Sequence, residues 1–194
     1  MQKRRTLIAH SKIFFRNFHI SVVLIIFTLL LFNAAPSPAI IRTLTGIVTK
    51  VADGDTIHVL TSEQTRLKIR MYGIDAPETP KINKHTGRIG KAGQFFAEEA
   101  SKALASKILG KHVRLDIIDI DRYRRLVSII WLADRNINLE MISEGYAEAY
   151  EKYLKSPYRS IFLEAQKKAQ EAGKGIWSQS DYERPKDYRQ KTGN

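Results

Sequence analysis

Cysteine is absent from all 194 positions. That removes disulfides, thiolate metal sites and thiol nucleophiles together, and it is neutral about compartment, because a domain with an adequate core needs no disulfide. Acidic residues are missing from residues 1–39, where five basic ones stand: Lys3, Arg4, Arg5, Lys12 and Arg16. No apolar run reaches the ~20 residues of a membrane-spanning helix; Ile20 to Phe32 has 13. Internal repeats are absent, and Ser178 to Asn194 contains no Leu, Ile, Val or Phe, so that end is expected to be a charged, frayed tail. The five histidines (10, 19, 58, 85 and 112) show no metal-ligand spacing. His58, on an alternating strand, reads as a surface residue and is given no role.

What the chain does have is positive charge. Lys and Arg number 32 against 20 Asp and Glu, a net +12, of which residues 40–194 carry 27 against 20. A basic surface favours polyanions such as nucleic acid or anionic membrane, although charge alone names neither. The length is that of one domain with extensions. At the start, a basic segment, the short apolar run and Asn33 to Ala39 have the layout of a secretory signal peptide, with Ser37 and Ala39 as the small residues before a cleavage site. Export is therefore expected, with an uncleaved N-terminal membrane anchor as the alternative. The remaining boundaries are a folded domain over 40–177 and the tail over 178–194.

From Thr43 onward the chain reads as short strands separated by turns. Ile47 to Val51 is β-rich and stops at Asp53-Gly54; Thr56 to Leu60 alternates; Leu67, Ile69 and Met71 alternate with Arg66, Lys68 and Arg70. Thr79 to Lys91 reads as a basic loop. A helix follows with Phe96, Ala100, Leu104 and Ile108 on one face and Gly110 at its end. His112 to Ile120 and Leu126 to Leu132 are two further strands joined by the charged turn Asp121 to Arg125. Leu139 to Ile142 forms a short helix closed by Gly145. Ser156-Pro157 opens a last helix as N-cap and first residue, with a stripe of Ile161, Phe162, Ala165, Ala169 and Ala172. Trp177 reads as a core plug. Five strands with three helices imply an α+β domain built on a small closed barrel.

Two acidic segments carry the chemistry: Asp53-Gly54-Asp55-Thr56 and, beyond Arg70, Ile74-Asp75-Ala76-Pro77-Glu78. Hydrolysis of a phosphodiester needs a fixed cation, fixed donors where charge gathers and a hold on the attacking water. Asp55 and Asp75 are suited to a hard cation, which takes carboxylate, carbonyl and water oxygens. Pro77 restricts Ala76 and aims its carbonyl, and Asp53 supports the site through water. Glu78 is the candidate general base. Arg70 and Arg125 are candidate phosphate clamps, because a guanidinium gives two parallel hydrogen bonds and stays charged. Each residue also has a plain structural reading: Asp-Gly as a turn, Arg70 on a solvated strand face, Glu78 on the surface. Strict alternation would set Arg70 and Asp75 on opposite faces, so convergence requires Gly73 to mark a bulge that re-aims its neighbours.

The first pattern, Asp53-Gly54-Asp55-Thr56-Ile57-His58-Val59 followed after ten residues by Arg70-Met71-Tyr72-Gly73-Ile74-Asp75-Ala76-Pro77-Glu78, resembles the first signature of the staphylococcal nuclease (thermonuclease) family. Asp121-Arg122-Tyr123-Arg124-Arg125-Leu126-Val127 is similar to the second. The likeness runs from about Thr43 to Trp177. It implies a five-stranded OB-fold barrel with three helices and a Ca²⁺-dependent nuclease acting on DNA and RNA, cutting 5′ P–O bonds to leave 3′-phosphates. By position it implies that Asp55, Asp75 and the Ala76 carbonyl bind calcium, Glu78 acts as base, Arg70 and Arg125 bind the scissile phosphate, and Tyr123 contacts the nucleotide. No small-molecule cofactor and a monomeric state are expected, with membrane contact only through an uncleaved leader. Where the family usually has glycine before the catalytic arginine, this chain has Arg124, which leaves open which of Arg124 and Arg125 clamps phosphate. Two rival readings are an exported OB-type module that binds nucleic acid without cutting it and an anchored protein with its basic face on lipid. Neither accounts for four carboxylates at these spacings.

Overall fold

The computed structural model describes residues 39–83 and 85–193. The leader expected at the N-terminus lies outside them, apart from Ala39 itself.

Runs rich in Thr, Val and Ile form the strands, because branched side chains pack well on a pleated surface. β1 (Arg42–Val51) begins earlier than the apolar run that marks it, and β2 (Thr56–Leu60) and β3 (Arg66–Met71) follow as a meander. β7 (His112–Ile120) returns beside β1, and β8 (Leu126–Leu132) pairs with β7. The start of β8 also lies parallel to β3, with Ile69 opposite Leu126 and Arg70 opposite Val127. That pairing closes five strands into a mixed barrel. Inward positions alternate as a two-residue period requires: Ile57 and Val59 on β2, Ile69 and Met71 on β3, Val113, Leu115 and Ile117 on β7 are all buried. Removing one such aliphatic side chain from water is worth about 1.5–3 kcal/mol.

Between these strands lie four short ones: β4 (Ile74–Asp75), β5 (Lys81–Ile82), β6 (Ile89–Lys91) and, after β8, β9 (Arg135–Asn136). The basic loop expected over 79–91 thus contains a small antiparallel hairpin, β5 with β6. Helix α1 (Ala97–Ile108) buries Ala97, Ala100, Leu104 and Ile108, the expected stripe displaced at its first member, since Phe96 is the N-cap. Helix α2 (Ile137–Ser143) starts at Asn136, whose side chain accepts a hydrogen bond from the Leu139 N–H at 3.1 Å. The next residue of that first turn but one, Asn138, is fully buried and stitches the barrel to the site: its amide donates to the Tyr72 and Ser128 carbonyls at 2.9 and 3.1 Å and accepts from the Ile130 N–H at 2.9 Å. After α2, β10 (Glu148–Ala149) pairs antiparallel with β4, placing Glu148 opposite Asp75. Helix α3 (Tyr158–Glu171) is N-capped by Pro157 rather than Ser156 and buries Phe162 and Ala169, while Ile161 stays 45% exposed and so leaves the expected stripe. Ile176 is the fully buried residue after α3; Trp177 is half-buried, with its ring edge-on to Tyr182 at 4.9 Å.

The expected α+β barrel is therefore present, with one correction to the helix count. A fourth helix, α4 (Pro185–Lys191), forms inside the segment expected to fray. Pro185 occupies its first turn, where a missing N–H is harmless. The segment lacks aliphatic residues, and its anchors are instead ion pairs to carboxylates of the barrel and a tyrosine hydroxyl, a kind of attachment that a search for apolar residues passes over.

Candidate active site

The turn between β1 and β2 brings Asp53 and Asp55 to one end of the barrel. The Asp55 N–H donates to Asp53 Oδ1 at 3.0 Å, so Asp53 shapes the turn from within. Gly54 is required by close approach. A Cβ there would lie 2.6 Å from the Ala76 Cβ and 2.9 Å from the Ala100 Cβ, so the first acidic segment can seat against the second only without a side chain.

The second segment is aimed by Gly73. The β3 ladder stops at Met71, the backbone turns through Tyr72 and Gly73 with φ +71° at the glycine, and β4 begins at Ile74. A side chain at Gly73 would also run into Leu154. The expected bulge is in fact this left-handed turn, and its effect is the one needed: Arg70 and Asp75 converge instead of diverging. Arg70 Nη2 donates to Asp75 Oδ1 at 2.7 Å and to the Ile74 carbonyl at 3.3 Å, while Nη1 contacts Asp55 Oδ1. Asp55 Oδ2 accepts from the Ala76 N–H at 3.0 Å, and its Oδ1 accepts from the Thr56 hydroxyl at 3.0 Å. The two acidic segments thus meet in space, joined by one guanidinium.

Both carboxylates are buried, Asp75 completely. Burial pushes the Asp55 carboxyl well above the ordinary carboxylate range, against the pull of Arg70. Even so, three donors aim at its two oxygens, an arrangement that suits the ionised form. Burial works against the charge of Arg70, but Asp55 and Asp75 more than offset it and hold the guanidinium firmly protonated.

Glu78 lies at the rim, partly exposed. Its backbone is held by Gln94, whose Oε1 accepts from the Glu78 N–H at 2.9 Å and whose own N–H donates to the Glu78 carbonyl at 2.8 Å. Its side chain meets a residue outside the expected site. Arg189 of α4 donates to Glu78 Oε1 at 2.7 Å, to Asp75 Oδ1 at 3.0 Å and to Asp75 Oδ2 at 2.7 Å. Glu148, buried behind Asp75, takes Arg184 Nε at 3.1 and 3.0 Å on its two oxygens. Burial raises the Glu148 carboxyl, with Arg184 acting in the opposite sense. Arg189, Arg184, Gln94 and Glu148 are the site residues that motif spacing did not disclose. The one usable signal was Pro185 opening a short run with Tyr188 and Arg189 on it.

The second expected segment is folded on itself. Asp121 Oδ1 accepts from the Tyr123 and Arg125 N–H groups, both at 2.9 Å, and Oδ2 accepts from Arg125 Nε at 2.7 Å. Burial tends to raise Asp121, but these donors outweigh it and hold the carboxyl below its ordinary value. The Tyr123 ring, 63% exposed, lies under the guanidiniums of Arg122 and Arg125 at 4.8 and 5.5 Å. Arg125 thus stands just ahead of the β8–β3 pairing that carries Arg70, while its guanidinium pairs with Asp121 and not with the acidic cluster. Arg124 adopts φ +61°, the conformation that glycine takes at little cost. The structure therefore keeps the turn and strains the residue. Arg124→Gly should raise stability by about 0.5–1 kcal/mol, the left-handed penalty less the entropy cost of glycine. Urea unfolding checks this, and a loss of stability would show that the Arg124 side chain is needed.

Among the described residues, no group of three or more His, Cys, Asp or Glu side chains is gathered so as to hold a metal ion. The donors at Asp55, Asp75 and Ala76 nevertheless fit a hard cation by type, being all oxygen, with the remaining shell left to water. Three carboxylates against the two guanidiniums of Arg70 and Arg189 leave the cluster acidic.

Comparison with known proteins agrees with this geometry. The chain matches the family described as staphylococcal nuclease homologue over residues 68–179. It is 35% identical over 142 residues to an uncharacterized endonuclease of Haemophilus influenzae, covering 73% of this chain and 71% of that one. It is 30% identical to the probable endonuclease LCL3 of Pyricularia oryzae (76% and 66% covered) and 31% identical to a micrococcal nuclease of Shigella flexneri (77% and 82%). With Arg70 spanning Asp55 and Asp75 on a closed five-stranded barrel, and with more than half its length matched, the chain belongs to the staphylococcal nuclease family.

Proposed function

We propose that this chain is an exported, Ca²⁺-dependent nuclease that hydrolyses DNA and RNA, cutting the 5′ P–O bond and leaving 3′-phosphate ends. The coarser statement, a phosphodiester-hydrolysing nuclease, rests on family membership and on relatives named as nucleases. The finer one is supported by a single observation: Arg70 draws the two buried carboxylates Asp55 and Asp75 together, and a second guanidinium, that of Arg189, links Asp75 to Glu78.

Asp55, Asp75 and the Ala76 carbonyl are the groups that would hold calcium, which when bound polarises a phosphoryl oxygen and neutralises charge. Glu78 accepts a proton from the attacking water. The water oxygen bonds to phosphorus, the P–O5′ bond breaks, and the departing oxygen takes a proton from solvent water to become a 5′-hydroxyl, while Glu78 returns its own proton to solvent. Arg70 and Arg125 bind the scissile phosphate, and Tyr123 packs against the nucleotide; for this Arg125 turns from Asp121, breaking an ion pair whose side chains are 21% and 20% exposed. The net basic charge draws in the polyanion. The apolar run at Ile20–Phe32 behind a basic start supports export.

The test is hydrolysis of single- and double-stranded DNA and RNA by the purified full chain with Ca²⁺, with Mg²⁺ and with a chelator, with analysis of the ends. Activity only with Ca²⁺ and 3′-phosphate products are expected. Equal rates in chelator would end the calcium assignment, and tight binding with no cleavage under any condition would favour the non-catalytic module.

A further inference from the structure

We propose that residues 182–192 form an intramolecular strap whose Arg189 guanidinium competes with the divalent cation for Asp75 and at the same time occupies Glu78, the proposed base. The inference rests on the cation-site reading above and adds a regulatory element to it.

Arg189 takes both oxygens of Asp75 and one oxygen of Glu78. Since Arg70 already donates to Asp75 Oδ1, a cation seated at Asp75 would stand against two guanidinium charges at contact distance. Like charges at such separations repel, and the partial burial of the site weakens the screening that water would give. Nor can the competitor be removed by losing a proton. Burial opposes its charge, but Asp75 and Glu78 hold Arg189 protonated, and a guanidinium keeps its charge at any working pH. The cation gains the site only if α4 withdraws.

The strap is held along its length by separate polar anchors. Arg184 pairs with buried Glu148, Gln94 Nε2 donates to the Glu183 carbonyl at 2.9 Å, the Tyr188 hydroxyl donates to the Ala92 carbonyl, and Lys91 Nζ donates to the Thr192 carbonyl at 3.3 Å. Gln94 therefore holds the strap with its amide nitrogen and the backbone of Glu78 with its amide oxygen. Of α4 itself only Pro185 is buried. A seven-residue helix with one buried residue belongs to the part of a fold that opens at low free-energy cost. It is well enough attached to occupy the site and loosely enough to leave it.

The test is calorimetric titration of CaCl2 into the full chain and into R189A, R189K and Y188F, together with amide hydrogen exchange of residues 182–192 with and without CaCl2. A docked strap leaves only a fraction of molecules competent, so its removal tightens apparent affinity by the inverse of that fraction. R189A is expected to bind Ca²⁺ about ten- to hundredfold more tightly than wild type, with R189K between the two. Y188F, which leaves Arg189 in place and removes one remote anchor, is expected to tighten binding about threefold. In wild type, Ca²⁺ should speed exchange in 185–192. Equal or weaker binding by the variants, with exchange unchanged by Ca²⁺, would overturn the strap and leave the cation site standing. No binding by any of the four would overturn both. If R189A melts at 25 °C, Y188F and the wild-type exchange experiment still decide.

Discussion

Arg70→Ala is expected to lower kcat by about 10²–10³-fold, the usual loss on removing one charge-stabilising donor, and to destabilise the fold by roughly 3–5 kcal/mol. Both effects come from one position. In the absence of substrate, Arg70 is what reconciles two buried carboxylates, Asp55 and Asp75, with side-chain exposures of 3% and 0%. Removing it leaves Asp75 with Arg189, but leaves Asp55 without a cationic partner, supported only by the Thr56 hydroxyl and the Ala76 N–H. An uncompensated buried charge is among the most damaging changes a core can suffer. For a domain of this size the loss corresponds to a melting point lower by roughly 6–20 °C. Arg70→Lys separates the two effects. A lysine restores a positive charge but not the planar fork that spans Asp55 and Asp75, so stability should recover in part while the rate does not. Thermal melts and steady-state rates on the two variants check this, and a wild-type rate in Arg70→Ala would remove Arg70 from the phosphate site.

The second large effect is expected at Glu78, with the opposite balance. Glu78→Gln keeps size and shape, and its backbone remains clasped by Gln94. The side chain is 22% exposed and contacts only Arg189 among the described charged groups, so stability should change by less than ~1 kcal/mol. An amide cannot accept the proton of the attacking water, and general-base catalysis is worth about 10²–10⁴ in rate. The expected result is a fall in kcat of that size with KM nearly unchanged and the same melting point. If kcat stays at the wild-type value in a correctly folded Glu78→Gln, another group handles the water.

The parts of this fold that could be read from sequence are those in which side-chain chemistry and backbone geometry repeat locally. Ile57, Val59, Ile69 and Met71 announce their strands by alternation, and Leu104 and Ile108 announce their helix by spacing. The convergence of Arg70 and Asp75 was legible only as a condition on Gly73, because alternation alone predicts divergence; a left-handed glycine met the condition. The glycine-to-arginine change at position 124 was legible as a strain, and φ +61° is that strain. Two things were not legible. The closing of Arg125 onto Asp121 depends on a turn in which one carboxylate collects three donors, and nothing in the order of those residues sets it apart from an open loop. The docking of 182–192 joins Arg189 to Asp75 across 114 residues and Arg184 to Glu148 across 36. Such pairings depend on where a finished barrel leaves its carboxylates, and a segment without aliphatic residues carries no periodic mark of them.

The parallel contact that closes the barrel also bears on how the protein comes to fold. It joins residue 69 to residue 126, and a pairing that distant must wait until the loop between them has been gathered in, at an entropic cost that local hairpins avoid. Arg70 stands on one partner strand, and Tyr123 and Arg125 stand at the mouth of the other. Chains still short of closure, including those emerging during synthesis, therefore hold the acidic turn and the arginine turn apart. The pairing of β1 with β7, which joins Arg42 to Ile117, is less local still, so the meeting of the two turns belongs with the long-range contacts of the fold and not with its hairpins.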